Sequence, residues 1–482
     1  MTRRVIGPFN RVEGDLEVKI DIAGDRVADA WVVSPLYRGF EQILQGRDPL
    51  DGLVFAPRIC GICSVSQSMA AALAIQEMQG LQSPPNGELA RNIVLAAENV
   101  ADHLTHFYLF FMPDFCRETY AAEAWYPAAA ARFRAISGAA AREALPARSA
   151  FMHIMGILAG KWPHTLSLQP GGSSRAVEAQ EQMRLIAILA AFRRFLETVL
   201  FAAPLERIAT LADIEALETY RTEAPATSGD FRHFLAIAAA LQLERMGRGA
   251  DRFMSYGNYW RGGRPHFARG LYAEGALESF DPTQITEDLS HSWMSGGAPA
   301  HPYDGVTMPS EENARGYTWC KAPRLAGRVV EVGALARQAV DGQPLVRDLL
   351  ARQGGSVLAR VVARGIEIAR IVIAMEQWVR ELRPREAFCH HAPMPEEAAA
   401  AGMVEAARGS LGHWVRLRRG RILNYQIVAP TTWNFAPRDA AGQPGALETA
   451  LVGAPVRPGE TDPVAVQHIV RSFDPCMVCT VH

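Results

Sequence analysis

Arg58-Ile59-Cys60-Gly61-Ile62-Cys63 stands near the start of the chain, and Asp474-Pro475-Cys476-Met477-Val478-Cys479-Thr480-Val481-His482 closes it. Four of only seven cysteines fall in these two C-x-x-C pairs, a spacing suited to metal ligation. About 410 residues separate Cys63 from Cys476, so a site built from both pairs brings the two ends together and orders everything between them. A structural zinc site usually clips neighbouring knuckles, which makes this separation unusual for zinc. Soft thiolates suit nickel and iron as well, and two metals fit if one sulfur of each pair bridges them. Neither pair has a third cysteine nearby, which argues against an iron-sulfur cluster within this chain. The scattered Cys116, Cys320 and Cys389 read as core residues.

With 482 residues, 49% of them hydrophobic, the chain can bury a large core. A net charge of -2 supplies no electrostatic footprint for nucleic acid or an acidic membrane. The basic run Arg416 to Arg421 reads as a solvated hairpin turn. Apolar runs such as Leu185 to Phe192 are cut by Arg193 and Arg194 far short of a membrane span. The opening MTRRVIGPFNRVEGD has no apolar stretch behind its arginines, so no signal peptide is read there, and an odd number of cysteines does not suggest a disulfide framework. A reducing, cytoplasmic setting is expected.

Alternation at Leu16, Val18 and Ile20, a turn near Gly24-Asp25 and a second run from Val27 to Val33 predict a β-hairpin within residues 1–35. Helical spacing of apolar residues predicts helices over 68–80, 88–112, 178–203, 230–247, 334–352 and 356–384. The last would extend for about 43 Å and suits the centre of a bundle. Residues 203–333, rich in Gly, Pro and aromatics, predict an irregular excursion of strands and loops. A further hairpin is expected from Trp414 to Val428 around Arg419-Gly420, whereas the Ala-rich run 121–150 carries no clear pattern. Residues 1–482 read as one interwoven domain that ends in a metal-binding segment, 470–482.

The cysteine signatures resemble those of nickel-iron hydrogenase large subunits. Other segments share the resemblance in order: Arg11-Val12-Glu13-Gly14, Arg38-Gly39-Phe40-Glu41, His103 to Tyr108 (HLTHFY), Gly160-Lys161-Trp162-Pro163-His164, Lys321-Ala322-Pro323-Arg324, and Asn424 to Asn434 (NYQIVAPTTWN). It spans essentially the whole chain. It implies an α+β, predominantly helical fold, with a central long-helix bundle and peripheral β-hairpins. By that resemblance Cys60 and Cys476 are terminal nickel thiolates, and Cys63 and Cys479 bridge nickel to an iron that carries carbon monoxide and cyanide. Arg408 lies over the metals with Asp102 and Asp474 around it, although the family's Pro-Arg is here Ala407-Arg408. Thr431, after Pro430, hydrogen-bonds a cyanide. Glu13 is the proton relay, and Glu41, His482 and the carbonyl of Ile427 hold magnesium. His103, His106 and His164 orient the core.

The implied reaction is heterolytic cleavage of dihydrogen, the metals stabilising the hydride half while Cys476 or Arg408 receives the proton. Because this chain lacks cysteines for clusters, a small subunit carrying iron-sulfur clusters is the implied partner. The resulting heterodimer could pair into a dimer of heterodimers. Three features are similar to the regulatory, dihydrogen-sensing class, which signals to a histidine kinase. Gln67 replaces a histidine that usually contacts a bridging sulfur. Ile62 and Phe110 stand where smaller Val and Leu line the gas route. The chain stops at His482, without the cleaved extension common in catalytic members. The alternative is an energy-conserving uptake hydrogenase that feeds a respiratory acceptor. A scaffold that has lost nickel is a third reading, opposed by the four retained thiols.

Overall fold

The computed structural model describes residues 2–482. Its first element is a three-stranded antiparallel sheet, Thr2–Ile6, Glu17–Ala23 and Arg26–Val33, rather than a two-stranded hairpin. The turn falls at Gly24-Asp25 as the sequence predicts, with Gly24 at φ 63°. Val18 and Ile20 are fully buried on one face, the period of two expected of a half-buried sheet. The extra strand, Thr2–Ile6, pairs from Thr2 opposite Ile22 to Ile6 opposite Val18. Its charged opening, Thr2-Arg3-Arg4, hides it from a hydrophobic-pattern reading.

The helical centre follows the sequence closely. Ser356 caps the long helix Val357–Glu381, accepting from the Ala359 amide at 3.2 Å, and the helix ends shortly before Pro384. Its 25 residues cover about 37 Å. It packs against Pro85–Thr105, Ala179–Phe195, Ala334–Val340 and Val464–Ser472, so it is buried nearly all round. Pro85–Thr105 continues through a π-helical turn, His106–Phe111, and Ala179–Phe195 does the same through Leu196–Leu200. The predicted helix 334–352 is two helices, Ala334–Val340 and Pro344–Gln353. Gly342 at φ 83° ends the first, and Pro344 with the Gln343 cap starts the second, punctuation that outweighs the continuous apolar spacing. The predicted 230–247 stops at Leu241, where Gln242 turns left-handed at φ 54°.

Two expectations are corrected. The run 121–150 forms helices Tyr126–Phe133 and Ala139–Phe151. The excursion 203–333 opens with the helices Leu205–Ala209, Ile214–Thr222 and Asp230–Leu241, and strands begin only at Arg252. From there Arg252–Asn258, Phe267–Ala273 and Ala276–Glu278 form one sheet, and Ile285–Asp288 pairs with Ala322–Leu325.

The hairpin expected at Trp414 to Val428 is part of a three-stranded meander, Ala398–Ala406, Gly409–Arg418 and Arg421–Val428. Arg419 and Gly420, at φ 54° and 68°, make its second turn. The first strand, AAAAGMVEA, has helical propensity but is held flat against the helix Ser64–Met78. Gly402 makes that approach possible, because a Cβ there would overlap the Ala70 carbonyl oxygen and lie 2.7 Å from the Ala74 amide nitrogen. One hydrophobic cluster runs through the chain from Ile6 to Cys479. Gly402→Ala should therefore destabilise the protein by about 3 kcal/mol through overpacking, read as a lower urea midpoint at unchanged slope.

Candidate metal centre

Cys63 sits at the N-terminus of the helix Ser64–Met78, and Cys60 precedes it in a tight turn. The C-terminal pair arrives on an extended segment that lies parallel to Glu13, whose carbonyl accepts from the Met477 amide at 2.7 Å. Gly14, at φ 80°, lets the two segments touch, since a Cβ there would come within 3.2 Å of Met477 and Val478. The sulfurs consequently converge: Cys60 to Cys476 at 3.5 Å, Cys63 to Cys479 at 3.0 Å and Cys476 to Cys479 at 3.2 Å. All four lie within 4.8 Å of one another, buried, and none is in a disulfide.

The sulfurs fit a soft metal. Metal–sulfur bonds of about 2.3 Å place tetrahedral ligand sulfurs about 3.7 Å apart, close to the separations found. The hydrogen bond with Cys476, followed by those with Cys479 and Cys63, holds the Cys60 thiol well below its ordinary range. The Cys476 hydrogen bond pushes Cys63 well above, and burial pushes up both Cys476 and Cys479. Protein groups alone therefore do not stabilise four buried thiolates, whereas bound cations would.

The sequence-predicted residues Arg408, Asp102 and Asp474 are brought together beside the sulfurs. The guanidinium donates from Nη1 to Asp102 Oδ2 at 2.6 Å, from Nη2 to Asp474 Oδ1 at 3.0 Å and from Nε to the Asp474 carbonyl at 2.9 Å. Burial raises Asp102; burial also works against the Asp474 charge, but Arg408 together with His106, Arg364 and His103 outweighs it and holds that carboxyl low. Behind Ala407, fully buried Arg337 donates to the carbonyls of Ala406 and Ala407 at 2.7 and 2.9 Å and pairs with Glu367 and Glu405. Arg337 was not singled out from sequence, because its partners are distant in the chain. Thr431 follows Pro430 at the start of the short helix Pro430–Asn434, and its hydroxyl accepts from the Cys476 amide at 3.3 Å.

Glu13 is partly buried, and that burial, followed by the charge of Cys60, raises its carboxyl. Gln67 lies one helical turn from Cys63 and pairs with His413, a residue that sequence reasoning missed. Ile62 packs at the edge of the main core, and Phe110, half-buried in the π-helical turn, accepts from Arg11 through its carbonyl at 3.0 Å. His103 bonds Glu367 at 3.0 Å, His106 the Arg471 carbonyl at 2.7 Å and His164 the Pro57 carbonyl at 2.8 Å.

A second buried polar cluster contains Glu41, His482 and Ile427. His482 Nε2 lies 2.8 Å from the Ile427 carbonyl oxygen and 3.5 Å from Glu41 Oε1, and the Ile427 amide donates to Glu41 at 2.8 Å. Burial works against the Glu41 charge, but Lys321, His482 and Thr307 outweigh it and hold the carboxyl at about 2. Lys321 Nζ, 3.0 Å from Glu41, also bonds Thr307 and Gln426. Neither oxygen of buried Glu287 has a hydrogen-bond partner among the described residues, although Lys321 is 3.6 Å away. This surplus of oxygen acceptors suits a hard cation. Lys321 belongs to a motif the sequence reading quoted without giving it a role.

Glu98, another residue missed from sequence, fixes Cys63 from behind. It accepts from the Val65 and Ser66 amides at 2.8 and 2.9 Å, capping the helix start, and from Trp162 Nε1 at 3.0 Å. Burial outweighs these donors and raises its carboxyl from 4.5 to about 7. The folded chain thus keeps this proton to higher pH than the unfolded chain. The associated stability is full below about 4.5 and is lost as pH rises through about 7. Glu98→Gln should flatten that decline in urea midpoints measured from pH 4 to 8. Cys63→Ser should abolish nickel retention, read by elemental analysis of the natively purified protein.

The family model "Nickel-dependent hydrogenase" matches residues 38–144 and 141–482. The "Periplasmic [NiFeSe] hydrogenase large subunit" of Desulfomicrobium baculatum is 29% identical, covering 99% of this chain and 94% of that protein. The "Uptake hydrogenase large subunit" of Rhodobacter capsulatus is 27% identical, with 100% and 95% covered. Among solved structures, the reduced Ni-Fe-Se hydrogenase from D. vulgaris Hildenborough superposes with a TM-score of 0.84 at 31% identity, all of both chains being covered. The fold is the large-subunit fold of these enzymes, and the chain belongs to the nickel-dependent hydrogenase family as a dihydrogen-activating large subunit.

Proposed function

We propose that the four cysteines hold a nickel-iron centre, Cys60 and Cys476 as terminal nickel ligands and Cys63 and Cys479 as bridges to an iron with carbon monoxide and cyanide. The convergence of their sulfurs within 4.8 Å, from opposite ends of the chain, carries this reading. When bound, the metals supply the Lewis acidity and redox chemistry that make dihydrogen cleavable. The protein's part is to accept and move the proton. Burial works against the charge of Arg408, but Asp102 and Asp474 outweigh it and hold the guanidinium protonated, which favours Cys476 Sγ as the base. Glu13 is the next group, its carboxyl raised by burial and by the charge of Cys60 so that it holds a proton more readily than an exposed carboxylate. Thr431 would orient a cyanide, and Glu41, the Ile427 carbonyl and His482 would hold magnesium, with Glu287, whose oxygens make no hydrogen bond among the described residues, supporting a cation there.

Electrons pass to a small subunit bearing iron-sulfur clusters, with which the chain forms a heterodimer. In our reading this heterodimer is a cytoplasmic dihydrogen sensor that reports to a histidine kinase. Gln67, in place of a histidine, supports that role, and Ile62 and Phe110 narrow the gas route. The uptake reading is supported by the likeness to several uptake hydrogenase large subunits, that of Rhodobacter capsulatus among them. No helix among the described residues is long and apolar enough to cross a membrane.

Steady-state dihydrogen oxidation with an artificial acceptor, measured beside dihydrogen-dependent kinase binding, separates the two roles. Slow turnover with kinase binding is the expected result, and fast turnover without any kinase contact overturns the sensor reading. Glu13→Gln should lower dihydrogen oxidation by about 100-fold, the scale of a lost acid–base group, with nickel content unchanged.

A further inference from the structure

Arg408 stands in a hairpin turn. Ala406 pairs with Gly409 across the strands Ala398–Ala406 and Gly409–Arg418, so Ala407 and Arg408 are the two residues that join them. The meander's other turn, Arg419-Gly420, shapes itself, because both residues take left-handed backbone at φ 54° and 68°, the form that follows the twist of the flanking strands. Neither Ala407 nor Arg408 is left-handed, and neither is glycine or proline. The Ala407 amide has no main-chain acceptor among the described residues. This turn therefore takes its shape from its surroundings.

The surroundings are the start of the helix Ala334–Val340. Gly409, at φ 129°, meets Gly333 main chain to main chain: a Cβ on Gly409 would lie 2.6 Å from the Gly333 nitrogen, and one on Gly333 would lie 3.3 Å from the Arg408 carbonyl oxygen. One turn along that helix is Arg337, whose amide donates to the Gly333 carbonyl at 2.9 Å. Its guanidinium is fully buried and uses all of its N–H groups. Nε donates to Glu367 at 3.0 Å, and Nη1 and Nη2 each give one hydrogen to a carboxylate, Glu405 at 2.9 Å and Glu367 at 2.6 Å. The hydrogens left over go to the turn, from Nη1 to the Ala406 carbonyl at 2.7 Å and from Nη2 to the Ala407 carbonyl at 2.9 Å. The carboxylates balance the charge, and the rigid fork then pins the two carbonyls that precede Arg408.

We propose that Arg337 is a positioning residue that sets the Ala407-Arg408 turn from behind and thereby aims the Arg408 guanidinium at Asp102, Asp474 and the sulfurs beside them. Ala407 leaves φ free where a proline would fix it, and the paired bonds from Arg337 supply the missing restraint. The consequence for turnover rests on the nickel-iron reading above, whereas the restraint on the turn does not.

Arg337→Lys in the intact heterodimer tests this, since lysine keeps the positive charge between Glu367 and Glu405 but lacks the planar fork. Infrared spectra of the wild type come first. If carbon monoxide and cyanide bands are missing, the nickel-iron reading fails, and the turn is still read by hydrogen exchange. In Arg337→Lys, amide exchange over residues 406–410 should quicken about tenfold, the scale of one lost hydrogen bond, while the helix Val357–Glu381 keeps its protection. Dihydrogen oxidation should fall about 100-fold at unchanged nickel content, the scale of a group displaced by about 1 Å. Adding Ala407→Pro, which restrains φ by its ring, should recover most of both losses. Wild-type exchange or wild-type turnover in Arg337→Lys, protection lost equally along Val357–Glu381, or no recovery on adding Ala407→Pro overturns the proposal. If Arg337→Lys does not fold, Arg337→Gln with Glu405→Gln, which removes one charge of each sign, replaces it with the same outcomes.

Discussion

Four sulfurs from opposite ends of the chain share one buried pocket, and that crowding governs the structure around them. Like charges so close cannot all be borne without cations, and the surrounding groups do not remove the difficulty. Arg408 faces two carboxylates of its own, and the buried Arg337 is engaged by Glu367 and Glu405. The pocket therefore has cationic neighbours that are already committed. Metal ions would supply positive charge directly at the sulfurs, which is why the thiols, rather than the arginines, define the chemistry.

The supports of that pocket are distributed over every layer of the fold. Glu98 anchors the start of the helix behind Cys63, the Glu13 segment holds the returning C-terminal strand, and Thr431 grips the Cys476 amide. A second cluster centred on Lys321 and Glu41 secures His482. None of these supports is a neighbour in sequence of the ligand it positions. The centre is thus a property of the whole molecule, in keeping with a main hydrophobic cluster that runs from Ile6 to Cys479.

Much of this was legible beforehand, for definite reasons. Thiol ligands reveal themselves by residue type and spacing, so Cys60, Cys63, Cys476 and Cys479 were readable however far apart. The long helix was readable because apolar spacing persisted from Val357 to Glu381 with a serine cap and a proline stop. The misses share a cause. In Ala398–Ala406 and in the alanine-rich helices of 121–150, alanine gives almost no pattern, and tertiary contact decides the conformation. Gly342 and Pro344 ended a helix that periodicity alone would have continued. Glu98, Arg337 and His413 carried no local signal, because a buried polar residue is recognised only by the partner that buries with it.

The contact at Gly402 has a mechanical consequence. Gly402 stands opposite His413 on the adjacent strand, and the Ala70 carbonyl it meets belongs to the turn after Gln67. Sheet and helix are therefore spaced by main chain resting on main chain, with no compressible side chain between them. Thermal or mutational drift elsewhere in the core can be absorbed by rotamer changes, but this seam has none to offer. It acts as a hard stop, keeping the imidazole and the amide at bonding distance while softer packing around them adjusts.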